Sequence, residues 1–336
     1  MAWSDLRGHD AARQQLLTAY QRGRLAHAYL FVGPEGVGKR RFATEFAKAL
    51  LCDSPPGPLE SCGRCPACQQ VTVGTHPDFL TAKRAEGENE LSIDTMREFV
   101  NRLGLKSSRG SRKFGLVEEA DEFNSSSANA FLKSLEEPPP GSVLVLLATS
   151  TDRQLPTILS RCQVVPFRPL SPSDLDAILQ EHGIADPTRR TRLIKLSGGS
   201  PGRALALSDD ALWDFRETLL RALAADRPDP MSLVQTWQEF VEEAGKQAPL
   251  QRERATLVIQ LLVDILRGSL HAAVGVTDTG PEAERLVKVA AHFGEDGIAE
   301  RFEACMEAET QIGRYVQVGL VTEALVDRLF RVLVSA

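Results

Sequence analysis

Two groups of residues in the 336-residue chain have types and spacings that can do chemistry. The first lies in Phe31–Arg41, "FVGPEGVGKRR". Gly33, Gly36, Gly38 and Lys39 meet the pattern G-x-x-x-x-G-K between a short apolar run and a helical one. In that setting glycines let backbone amides close around phosphate oxygens, and lysine reaches the terminal phosphates. A helix N-terminus adds positive potential to the same place. The next residue departs from the pattern. A hydroxyl there ligates magnesium, but Arg40 has five donors and no acceptor. It is left to hold a phosphate directly or to lie on the helix surface. A second departure is in "LVEEAD", an acidic pair closing an apolar strand, where an Asp holds the metal and a Glu activates water. Glu118, one methylene too long, and Glu119 stand there; a solvated strand end is the plainer reading. Both departures weaken the grip on one metal. The expectation is a pocket that takes ATP weakly or not at all and hydrolyses little of it alone.

The second group is Cys52, Cys62, Cys65 and Cys68, spaced C-x9-C-x2-C-x2-C. Four thiolates suit a closed tetrahedral zinc site, structural because no ligand position stays open. Ordinary core thiols seldom show this spacing, and an iron–sulfur cluster would bring a following C-P that is missing. Cys162 and Cys305 stand alone. Arg64 inside the cluster and "KSSRGSRK" (Lys106 to Lys113) raise a further reading, a zinc-dependent nucleic-acid-binding module; a short basic run is also what a solvated loop looks like.

The elements around these residues predict an α/β domain. "AYLFVG", "KFGLVEEAD" and "SVLVLLATS" read as strands. "DAARQQLLTAYQRG", a post-loop helix burying Ala43, Phe46, Ala47, Leu50 and Leu51, "SIDTMREFVNRLG" with Ser92 as N-cap, and "SSANAFLKSLEE" read as helices. The alternation implies a parallel sheet covered on both faces. "AKRAEGENEL" reads as a solvated loop. The predicted division is 1–167 for the sheet domain with its knuckle at 52–68, 168–207 for a small helical lid, and 208–336 for an all-helical domain. In the last helix Leu325, Leu329 and Val332 share a face, for packing against a neighbour or within the chain. The net charge of −6 argues against coating nucleic acid by overall charge. At 43% hydrophobic and 25% charged residues the composition is that of an ordinary soluble protein. The start has no basic-then-apolar leader pattern. "TLVIQLLVDILRGSLHAAV" is interrupted by Gln260, Asp264 and Arg267, so it reads as a packed helix rather than a membrane span. A cytoplasmic protein with no membrane partner is expected.

Taken together the motifs resemble bacterial clamp-loader subunits of the AAA+ class, within DNA polymerase III, most nearly the delta-prime members and next the gamma/tau members. The resemblance rests on "GRLAHAYLFVGPEGVGK", "CGRCPACQQVTVGTHPDF", "ANAFLKSLEEPPPGSVLVLLATS", "LPTILSRCQVVPF" and "SGGSPGRAL", in the family's order, and covers most of 1–207 and more weakly the rest. It implies Thr149 at the sensor-one position, Arg203 at sensor two, and Arg161 of Ser160-Arg161-Cys162 as an arginine finger for nucleotide on the adjacent subunit. Cys162, His27 and His76 are read as structural. It also implies a collar in residues 208–336, partners in the gamma/tau and delta subunits, and a sliding clamp loaded on primed DNA through the complex. Arg40 and Glu118 separate the chain from gamma/tau members, which carry the hydroxyl and the intact acidic pair. An ATP-hydrolysing, gamma/tau-like motor, using Glu118 and Glu119, is the alternative.

Overall fold

In the computed structural model, residues 3, 6–85, 88, 90–110, 112–275 and 282–331 are described. They form two compact units, Met1–Leu205 and Ala206–Ala336.

The first unit is built on five parallel strands, β1 (Ala28–Val32), β2 (Phe79–Ala82), β3 (Lys113–Val117), β4 (Ser142–Ala148) and β5 (Gln163–Pro166). Their order across the sheet is β2-β3-β4-β1-β5. Successive side chains of a strand point to opposite faces. Tyr29, Phe31, Val145 and Leu147 accordingly enter one core, and Leu30, Leu144 and Leu146 the other. Burial on both sides is why β1 and β4 read as unbroken apolar runs rather than alternating ones. The first core is closed by α1 (Asp10–Gln21) and α2 (Lys39–Leu51), through Leu16, Phe42 and Phe46. α3 (Pro66–Thr72) packs beside α2. The second core is closed by α4 (Ile93–Gly104) and α5 (Ser125–Glu136), through Met96, Phe99 and Phe131. The Ser92 hydroxyl accepts from the Thr95 amide at 3.2 Å, capping α4 as its sequence predicts. At α5 the cap is Asn124, in a reciprocal box with Ser127.

β2 and β5 were not among the strands expected from sequence. Each has four residues and lies at a sheet edge, too short for a periodic signal. Of the segment 82–91, Lys83, Ala85, Glu88 and Glu90 are exposed, as a solvated loop requires, and the two ends are buried. Ala82 ends β2 and Leu91 is fully buried, bridging to Phe123. Glu86, Gly87 and Asn89 lie outside the described residues. The unit continues through α6 (Pro156–Leu159), α7 (Pro172–Glu181), α8 (Pro187–Ser197) and α9 (Pro201–Ala206).

The second unit is all helical: α10 (Asp210–Leu223), α11 (Pro230–Glu242), α12 (Ala248–Ala273), α13 (Ala283–Gly313) and α14 (Val318–Phe330). α12 is long and apolar enough to cross a membrane by length and composition, yet Leu261, Leu262, Ile265 and Leu266 are fully buried within the protein, as in a core helix. α13 bends at Gly294, where φ is +64° and helical geometry breaks. Leu325 and Leu329 are buried inside this unit, so their stripe is core; Val332 lies outside the described residues.

Candidate functional site

β1 delivers the chain to Gly33, where a Cβ would lie 2.1 Å from the Phe167 carbonyl oxygen. Only glycine lets the loop start so close to the chain leaving β5. Lys39 turns back on its own loop, donating to the carbonyls of Gly33 and, at 2.8 Å, of Pro34. Burial holds its pKa below the usual lysine value, against the pull of Asp121 and Glu35. The Ser200 hydroxyl donates to the Glu35 carbonyl at 2.9 Å, and the Gly202 amide to the Gly36 carbonyl at 2.9 Å. The buried His9 ring, through Nε2–H, donates to the Val37 carbonyl at 2.9 Å. Carbonyls 33 to 37 are thus all satisfied within the chain. Gly36 has φ +69° and a Cβ there would meet the Ser200 hydroxyl at 2.6 Å, so the start of α9 rests directly on the loop. Arg203 belongs to this contact, its amide donating to the Ser200 hydroxyl at 3.2 Å.

The two departures from a metal site touch each other. Arg40 Nε donates to Glu118 Oε1 at 3.0 Å. The Arg40 side chain is 69% exposed and that of Glu118 16%. The guanidinium is thus anchored to Glu118 through Nε while most of the side chain stays exposed. Glu119 has a left-handed φ of +55°, uncommon for a side-chain-bearing residue, and its carboxylate receives Arg84 Nε at 3.3 Å. A third acid went unrecognised in the sequence. Asp121, following in the same "EEAD" run, accepts from the Thr149 amide at 2.6 Å and from Gln154 at 2.7 Å. It thereby ties the end of β4 to the acidic turn, and its charge acts on Lys39. Magnesium demands a near-octahedral set of oxygens. With a cation in place of the hydroxyl and Glu118 already paired, this donor set does not fit it.

Arg161 sits between α6 and β5. Its Nη2 and Nε donate to Glu136 Oε1 at 2.5 and 3.1 Å, and Nη1 to the Thr157 carbonyl at 2.9 Å. The side chain is 32% exposed. Gln163, two residues on, pairs level with Tyr29, whereas the phosphate loop begins beyond Val32, level with Pro166. Three residues of strand put roughly 10 Å between the two levels. Arg161 and Lys39 leave opposite ends of the sheet and do not form one site within the chain. Cys162 is buried and its thiol is pushed up to about 12 by burial, an inert packed residue. His27 meets the Leu135 carbonyl at 2.9 Å, and His76 Nδ1 accepts the Asp78 amide at 3.1 Å; both are structural.

The four cysteines do come together. Cys52 caps the C-terminus of α2, Cys65 and Cys68 flank the start of α3, and all four Sγ atoms lie within 4.8 Å of one another. A tetrahedron with zinc–sulfur arms of about 2.3 Å has sulfurs roughly 3.8 Å apart; Cys52 and Cys65 are at 3.9 Å. Backbone amides point at the sulfurs, Cys62 to Cys52 at 3.4 Å, Cys65 to Cys62 at 3.3 Å and Cys68 to Cys65 at 3.4 Å. Amides of Arg64 and Cys65 bring the Cys62 thiol down to about 6, while burial raises Cys68. The set fits a zinc ion.

The basic run has been put to use by the fold. Asp78, 1% exposed, accepts the Ser108 and Arg109 amides at 2.8 and 3.0 Å. Arg109 donates to Gln70 of α3 at 3.1 Å, Arg112 lies over the Tyr20 ring, and buried Lys113 caps α4 through the Arg102 carbonyl at 2.7 Å. Arg64 and Lys106 are exposed.

Residues 8–171 match the family model described as DNA polymerase III, delta subunit. DNA polymerase III subunit delta' of Escherichia coli K12 is 33% identical over 268 residues, covering 79% of this chain and 77% of the relative. The Bacillus subtilis subunit delta' is 27% identical, covering 97% and 98%. A DNA polymerase III subunit gamma/tau of Mycobacterium tuberculosis is 30% identical over 66% of this chain and 39% of its own length. On motifs and relatives together, the chain belongs to the delta-prime family of DNA polymerase III clamp-loader subunits.

Proposed function

We propose that this chain is the member of a clamp-loader ring that does not run on its own ATP and instead lends Arg161 to nucleotide held by the neighbouring subunit. The observation that carries the reading is the placement of Arg161, partly exposed and steadied by Glu136, at the opposite end of the sheet from its own phosphate loop. A guanidinium there has charge to give and no nucleotide of its own to give it to; fixed beside a transferring phosphoryl group it stabilises transition-state charge. The partners are gamma/tau and delta subunits, with the sliding clamp and primed DNA engaged through the complex, in the cytoplasm. Gly33, Gly36, Gly38, Lys39, Thr149 and Arg203 form the shell of a nucleotide pocket that holds ATP weakly or not at all. Residues 168–207 act as its lid and 208–336 as the collar. Zinc on Cys52, Cys62, Cys65 and Cys68 is structural.

The test is Arg161→Ala in a reconstituted complex. Assembly stays intact, and hydrolysis at the adjoining site falls by about 10³-fold or more; an unchanged single-turnover rate sinks the trans role. The retained Lys39 and the acids Glu118 and Glu119 favour a second reading, a gamma/tau-like motor. Phosphate release by the lone chain, abolished by Lys39→Ala, would establish that one in place of ours.

A further inference from the structure

We infer that the Arg40 guanidinium is a built-in replacement for the divalent cation, so that whatever affinity this pocket has for a nucleoside polyphosphate is indifferent to magnesium. This deepens the reading of the pocket given above and rests on it. In a loop of this type magnesium is shared between the hydroxyl after the lysine and a carboxylate at the end of the neighbouring strand. Here the residues at those two positions share a hydrogen bond instead, Arg40 Nε to Glu118 Oε1 at 3.0 Å.

The span explains why arginine does this. β1, which leads to the loop, and β3, which ends just before Glu118, are separated by β4. Strands lie about 4.8 Å apart, so β1 and β3 are separated by roughly 10 Å, and Arg40, in the first turn of α2 beyond the loop, crosses that distance to Glu118. A serine and an aspartate have less reach and leave room for an ion between them. A long arginine and a glutamate one methylene longer than aspartate meet directly. Both departures from the metal-binding pattern therefore lengthen a side chain toward the same point, and the charge they bring there is already balanced. A dication would have to displace the guanidinium from a carboxylate that is mostly buried, and would face a fixed positive charge while doing so. Glu119 is not a substitute ligand, since its carboxylate is held by Arg84, and Asp121 is committed to Thr149 and Gln154.

The experiment is calorimetric titration of the full chain with ADP, in magnesium and in EDTA, for the natural protein, R40S and R40S/E118Q. Position 40 is exposed, so R40S keeps the fold, checked by an unchanged melting temperature. The natural protein gives the same result in both buffers, whether a weak affinity or none. R40S frees Glu118 and restores a hydroxyl, and binds ADP at least ~10-fold more tightly with magnesium than without, the usual weight of one metal partner. R40S/E118Q loses that difference. Tighter ADP binding by the natural protein in magnesium, or an R40S variant with no magnesium dependence, overturns the inference. Neither result touches the role of Arg161 in the assembled complex, which the hydrolysis assay reads separately.

Discussion

At the scale of single residues, the finger proposed at Arg161 is only as good as its support. Arg161 owes its direction to Glu136, the last residue of α5, and to the Thr157 carbonyl. A side chain this exposed would otherwise sample many rotamers, and misplacement of a catalytic group by about 1 Å costs on the order of 10²-fold. Glu136→Ala is therefore expected to slow the adjoining site by roughly 10-fold to 100-fold, less than Arg161→Ala. Glu136→Gln, which keeps an acceptor, recovers most of that loss. Equal rates for Ala and Gln variants would mean that Glu136 does not position the finger. The thiol next door has no part in this, since burial keeps Cys162 protonated.

Among the elements, the cysteine knuckle is the clearest case of one feature fixing several. It joins the end of α2 to the start of α3, and α3 holds Arg109 of the loop before β3 through Gln70. Cys65→Ser removes a thiolate of the proposed zinc site that also caps α3. It is expected to drop bound zinc from one per chain to below stoichiometry and to lower the melting temperature by roughly 5 °C. A variant that melts unchanged with its zinc gone would make the knuckle dispensable for the fold. How legible these elements were depended on length and on partners. β1, β3, β4 and the helices around them carry five or more patterned residues and were read from sequence. β2 and β5 offer four each, and their strand character comes from the neighbours they pair with. The phosphate loop and the cysteines were legible because each depends on residue type at fixed spacing, whereas Arg161 came only from the resemblance of its segment to a known family. The pairing of Arg40 with Glu118 was not, because residues 78 apart in sequence meet only once the strand order is known. Asp121 was hidden for the same reason, its partners lying on the far side of α5 in the chain.

Over the described residues as a whole, the buried guanidinium groups of Arg190, Arg216 and Arg301 each meet acceptors. In the helical unit Arg216, 4% exposed, spans Asp264 at 2.9 Å and Glu282 at 2.6 Å, holding α10 to α12 and to the residue before α13. Removing one partner from such a network leaves uncompensated charge. Arg216→Ala should destabilise the full chain by about 3–5 kcal/mol in urea unfolding, and a change under ~1 kcal/mol would show that the carboxylates find other company. The parallel sheet has a consequence of its own. On the role proposed for Arg161, a subunit with its cationic donor at one end and its nucleotide mould at the other has a polarity, and its donor reaches a neighbour's mould by head-to-tail joining. Around such a ring each catalytic centre is assembled from one subunit's mould and the next subunit's donor. Insert a chain whose mould is mute and the circuit is cut at that joint alone: whichever subunit follows on that side is released from supplying a donor, and the active centres number at least one fewer than the subunits.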